Sequence, residues 1–189
     1  ANNYSGSNDA FVDALKAGQG ATTFNYDVRL IFDTSFTGKD LLRTTLRSGN
    51  FGQTAYGNGV LPNNSLEIGF QEGEAGANTV GINRLFYQFP AGDFTFTVGG
   101  RVRQDDMLAM WPSVYPADTV LDVFTYAGAP GTYNLNLGAG AGIWYQKNGW
   151  SISANYVAGN GDDGTPEQGG IGTSGSNETG TVQVGYAGS

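Results

Sequence analysis

The 189-residue chain combines 31 glycines and 13% aromatic residues with only 14% charged residues and a formal charge of −8, and it has neither cysteine nor histidine. The missing side chains exclude a disulfide framework, a thiol nucleophile, a Ser-His-Asp triad and a histidine-based zinc site. The acidity disfavours binding to nucleic acid, and no run of about 18 apolar residues marks a transmembrane helix.

Residues 1–21 read as a polar loop or short helix segment, with Asn8 or Asp9 as a cap, Phe11 and Leu15 at i and i+4, and Gly18 as a stop. From residue 22 the period changes to two. In 22–36, Phe24, Tyr26, Val28, Leu30, Phe32 and Phe36 share one face, while Asn25, Asp27, Arg29 and Asp33 share the other; only Ile31 breaks the alternation. Soluble strands usually run to about five or six residues; membrane strands need about nine to eleven. The pattern recurs in 40–49, 65–72, 79–89, 93–103, 134–146, 150–159 and 179–187, which predicts eight antiparallel strands. In 93–103 the alternation sets Phe94, Phe96, Val98 and Val102 against Thr95, Thr97, Arg101 and Arg103.

Three connections are tight: TGK at 37–39, PAGD at 90–93 and KNG at 147–149. Three are long: 48–64, 104–133 and 160–178. Short turns on one side and long loops on the other mark outer-membrane barrels. Eight strands, however, force TGK and PAGD onto opposite ends. Aromatic residues flank all three tight turns, the arrangement of an interfacial girdle, although cross-strand pairing in hairpins also explains each cluster.

All six arginines (Arg29, Arg43, Arg47, Arg84, Arg101 and Arg103) fall on the face opposite the apolar set, together with Asp27, Asp33 and Glu67. An arginine facing lipid at mid-membrane costs about 2–4 kcal/mol, so a barrel must turn these groups inward. The six arginines, Asp27 and Glu67 are therefore the pore-lining candidates. A soluble β-sandwich keeps charges off its apolar face as well; strand length and the aromatic turns separate the two. The 104–133 loop carries Met107, Leu108, Met110, Trp111, Tyr115, Leu121, Phe124 and Tyr126, too apolar for a solvated loop of that length. It is expected to fold into the pore, its acids Asp105, Asp106, Asp118 and Asp122 facing the arginines across a constriction. Packing against a neighbouring subunit is the other reading of this loop.

No catalytic centre, cofactor or metal is expected. The pairs Asp105/Asp106 and Asp162/Asp163 are sequence neighbours, which seldom point at one site as glycosidase carboxylates must. NGDDGTPE (160–167) lacks the spacing of a calcium loop, and GAGAG (138–142) lacks that of a dinucleotide fingerprint. Trp111, Tyr115 and Trp144 suit sugar stacking, but packing is the favoured reading.

The runs FDTSFTGKDLLRTTLRSGNF (32–51), NRLFYQFPAGDFTFTVGGRVRQDDMLAMWPS (83–113), LDVFTYAGAPGTYNLNLGAGAGIWYQ (121–146) and NGWSISANYVAGNGDDG (148–164) resemble the cyanobacterial outer-membrane porins of the carbohydrate-porin-like, or iron uptake porin, family that carries an N-terminal S-layer homology domain. The similarity covers roughly residues 22–189. It implies an all-β fold, an antiparallel transmembrane β-barrel larger than the eight strands present here. It further implies a homotrimer in outer-membrane lipid, passive diffusion of ions and small hydrophilic solutes including sugars, and attachment to peptidoglycan through the S-layer homology domain. That domain and its coiled-coil spacer are missing from this sequence, so the chain is expected to be part of a longer protein. A soluble cell-surface β-sandwich, lectin- or adhesin-like, stands as the alternative.

Overall fold

The computed structural model describes residues 20–54, 56–57, 65–69 and 76–188, with Ala10, Val12, Asp13, Lys16 and Ala17. Most of the expected N-terminal helix lies outside the described residues. The rest is all-β: β1 Asp27–Thr34, β2 Leu41–Gly49, β3 Gly81–Ala91, β4 Phe94–Arg103, β5 Leu137–Lys147, β6 Trp150–Ala158 and β7 Glu178–Tyr186. They form one seven-stranded sheet in sequential order, with β1 and β7 as its edges, so the sheet does not close on itself among the described residues. Short 3-10 turns cover Gln104–Met107 and Asp122–Phe124. By contacts the chain divides into two compact units, one of residues 1–29, 47–81 and 118–125, the other of 30–46, 82–117 and 126–189.

Among the described residues there are seven strands where eight are expected. The described part of the 65–72 segment, residues 65–69, supplies no strand: Leu66 makes only an isolated antiparallel bridge to Leu121 and residues 67–68 turn, while 70–72 lie outside the described residues. This removes the conflict over the tight turns. The β1–β2, β3–β4 and β5–β6 connections now all leave the sheet at one end, and the three long connections leave from the opposite strand ends. The hairpin chemistry fits. Asn148 and Gly149 both have positive φ (54° and 82°), as the Asn-Gly signature of a type I′ turn requires. Gly92 supplies the positive φ between the paired residues Ala91 and Phe94. β1 begins only at Asp27, and β5 only at Leu137, because Leu135 sits in the left-handed region at φ 55°.

Antiparallel register puts opposed residues on one face. Phe94, Tyr145, Ile152 and Val184 share a row, and Phe96, Ile143, Ala154 and Val182 the next. Among those, Phe94, Ile152, Val182 and Val184 are exposed, Val182 at 78%. On the opposite face, Thr95, Trp144, Ser153 and Gln183 form one row and Thr97, Gly142, Asn155 and Thr181 another; Thr97, Ser153, Asn155, Thr181 and Gln183 are all buried. The apolar face is bare and the polar face covered, the reverse of a soluble sheet.

One expected alternation fails. The register shifts between Gly99 and Val102, and Leu85 pairs with Arg101 while Phe86 pairs with Gly99, leaving Gly100 as the extra residue of a β-bulge. Beyond it the phase flips. Val102 joins the covered face opposite Gly138 and is fully buried with Phe86, Met107 and Val157. Arg101 and Arg103 fall into register with Leu85 and Leu137, out of the phase assigned to them by simple alternation.

Candidate functional site

The covered face is covered by the long loop after β4. Gln104 turns the chain back over the sheet: its N–H donates to Asn136 O (2.9 Å), its side-chain Nε2 to Thr181 Oγ1 (3.1 Å), and its carbonyl accepts from Asn155 Nδ2 (3.2 Å). Ala109 N–H then donates to Ser153 Oγ at 2.7 Å. Met107, fully buried, sits over Gly142, where an added Cβ would lie 2.8 Å from Met107 Cβ and 2.9 Å from its Sδ. Met110 sits over Gly185 in the same way, its Sδ 2.9 Å from the Cβ position. Trp111 packs edge-on against Tyr133, and Gln183 Nε2 donates to the Tyr133 hydroxyl at 3.1 Å. The glycine and small polar residues of β5–β7 thus form a seat shaped for residues 104–111. Burying a methionine side chain contributes about 1.5–3 kcal/mol. Gln104 Oε1, Asn155 Oδ1 and Gln183 Oε1 are buried acceptors with no donor among the described residues, so the seat is polar enough to hold water.

The loop acids meet arginines. Asp106 Oδ2 accepts from Arg84 Nε (2.6 Å) and from Arg103 N–H (2.9 Å), while Asp105 holds Arg103 bidentately at 2.5 and 2.7 Å. Burial raises the Asp106 carboxyl above its ordinary range, although the Arg84 charge pulls the other way. Asp118 reaches Arg29 at 3.4 Å. Asp122 is placed differently, in the second 3-10 turn, where its carbonyl accepts from Thr125 N–H and its own N–H donates to Ser65 O. Arg47 and Arg43 pair between β1 and β2. Arg47 holds Asp27 bidentately (3.0 and 2.5 Å) and Arg43 holds Asp33 (2.8 and 2.7 Å). The first pair is almost fully buried, with 3% and 7% of the side chains exposed; the second is substantially exposed, at 35% and 44%. Glu67, expected on a strand, lies instead in a turn, where its carbonyl accepts from Arg47 Nη2 at 3.0 Å.

The 104–111 segment does lie against the polar face, with Asp105 and Asp106 each on an arginine. The arginines do not form an unneutralised wall, because five of them have a carboxylate within 4.0 Å. The residues that fix the loop (Gln104, Ser153, Asn155, Thr181, Gln183 and Tyr133) carried no assigned role in the sequence. For Ser153, Asn155, Thr181 and Gln183 the signal is a polar side chain in the phase opposite the apolar set.

At the tight-turn end, aromatic rings form a ladder on the bare face. Phe36 lies 6.3 Å from Tyr87, Tyr87 stacks on Phe89 at 5.5 Å, and Phe89 on Phe96 at 5.7 Å. Phe94 meets Tyr145 and Trp150 meets Tyr186 at the same strand ends. Asp40 anchors the first turn. Its Oδ1 accepts from Ser35 Oγ, Phe36 N, Thr37 N and Thr37 Oγ1, and its Oδ2 from the Tyr87 hydroxyl at 2.6 Å. The Tyr87 hydrogen bond, helped by Thr37 and Ser35, holds the Asp40 carboxyl well below the usual carboxylate range.

Among the described residues no helix is long and apolar enough to cross a membrane, which leaves strand-crossing open, and no group of three or more acids could hold a metal ion. No family model matches the chain, and no solved structure matches it. The chain is 32% identical over 151 residues to an uncharacterized protein of Synechocystis, covering 78% of this chain and 27% of that protein. It is 43% identical over 79 residues to an uncharacterized protein of Nostoc, covering 38% of this chain and 13% of that one. The chain thus spans about a quarter or less of the length of the curated relatives it matches.

Proposed function

We propose that this chain is part of the wall of a bacterial outer-membrane β-barrel, a porin that passes ions and small hydrophilic solutes, with residues 104–111 seated against the lumenal face. The inversion of burial carries the reading. Thr97, Ser151, Ser153, Asn155, Thr181 and Gln183 are covered while Phe94, Val98, Ile152, Val182, Val184 and Tyr186 are bare. A sheet in water turns its apolar rows to a core; a sheet in lipid turns them outward and keeps polar groups inside. Two further features support it: strands of 8–11 residues, and aromatic rings gathered where all three tight turns leave the sheet. The edges at β1 and β7, unpaired among the described residues, have their natural complement in further strands of a longer protein, and the matched relatives are about three times as long as this chain. A β-sandwich would need a second sheet over Phe94, Ile152 and Val184, and none lies there among the described residues.

The test is planar-bilayer recording with the full-length protein. Discrete conductance steps are expected, and they should grow when residues 105–116 are replaced by a short Gly-Ser bridge. A full-length protein that stays monodisperse without detergent and passes no current overturns the reading in favour of a soluble binding protein.

A further inference from the structure

We infer that the groove beside the first tight turn is a docking site for one phospholipid, its phosphate on Lys39 and its acyl chains along the aromatic ladder. The inference rests on the membrane reading above and names a partner for a surface that reading leaves unassigned. The groove is lined by Thr37, Lys39, Asp40, Tyr87, Phe89 and Pro90 and encloses about 370 Å³. Its floor is apolar: Tyr87 and Phe89 belong to the bare face and continue into Phe96.

Its rim carries the charge. Lys16 has Asp13 within 4.0 Å and Lys147 has Asp93 at 2.9 Å, but the Lys39 ammonium has no carboxylate partner among the described residues. The neighbouring Asp40 makes no ion pair with it; its two oxygens accept instead from four donors of the turn and from the Tyr87 hydroxyl. A cation left without a counterion, at the end of an aromatic girdle and above an apolar groove, matches an anionic headgroup with its tails in hydrocarbon. A free anion would satisfy Lys39 alone and gain nothing from the rings. A phospholipid uses both.

Native mass spectrometry of the full-length protein in detergent doped with phosphatidylglycerol tests the site. One tightly retained lipid is expected, its retention falling about fivefold in Lys39→Gln and also falling in Phe89→Ser, with no change in Lys147→Gln. Inorganic phosphate at the same concentration should not compete. Equal lipid retention in wild type and Lys39→Gln overturns the site while leaving the barrel standing, and so does competition by phosphate, which would reduce it to a simple anion contact. Failure of the wild-type protein to enter detergent micelles or vesicles overturns the membrane reading and the site with it.

Discussion

At the scale of single residues, the two arginine–aspartate pairs of β1 and β2 look alike in sequence and differ in burial. Arg47 and Asp27 are nearly sealed, so removing one partner strands a charge; Arg47→Gln is expected to destabilise by about 3–5 kcal/mol. Arg43 and Asp33 are open to solvent, where such pairs contribute about 0–1 kcal/mol, so Arg43→Gln should leave denaturant midpoints nearly unchanged. Unfolding titrations of the two variants should separate clearly; equal shifts would mean that the burial difference has no energetic consequence. Gly142 makes a third residue-scale prediction. Any side chain there collides with Met107, so Gly142→Val should cost about 1–3 kcal/mol or unseat the loop. Asp40 sets a pH dependence. Its folded carboxyl lies below the unfolded value of about 3.9, so its contribution is present above pH 4 and is lost only as pH falls through the lower folded value. Amide exchange at Phe36 and Thr37, whose N–H groups donate to Asp40, should stay slow at pH 4 and speed up only in stronger acid.

At the scale of elements, the strands were largely legible. Period-two alternation and Asn-Gly or Gly-Asp turn chemistry located seven strands to within a few residues, apart from the start of β1. Two failures have local causes. Segment 65–72 alternates as a strand does, but alternation records only which side chains differ in polarity, and the backbone there turns after one bridge. In β4 Val98 and Val102 lie four positions apart, an even spacing that simple alternation reads as one face. The bulge at Gly100 inserts one residue, so Val102 ends on the other face. The adjacent Gly99–Gly100 pair was the available warning. The apolar character of the loop is legible in the sequence, but its seat is not, since contacts such as Gln104 with Thr181 join residues 77 positions apart. Replacing Asn155 with Leu should remove the hydrogen bond to the Gln104 carbonyl and loosen residues 104–110, seen as faster amide exchange at Ala109 while β6 and β7 stay protected.

At the scale of the whole molecule, the arginines carry a smaller burden than their shared phase suggests. Five are met by carboxylates, so charge selectivity in the proposed channel follows the balance of each pair rather than a positive wall. Arg43→Glu, at the open pair, should therefore move the reversal potential toward cations while leaving the fold intact, whereas unchanged reversal potentials would remove Arg43 from the lining. What the sequence carried best at this scale was the inversion itself: long strands, greasy on one side, with the charges of β1–β3 on the other.

The seat also has a practical consequence. The chain contains two methionines, and both rest on glycines beneath the same loop. Isotopic labelling of methionine methyl groups would therefore yield two resonances, each reporting on that loop and on nothing else in this chain. A pair of shifted, ring- and backbone-influenced signals would identify the docked arrangement, and their collapse toward free-methionine positions would time its release.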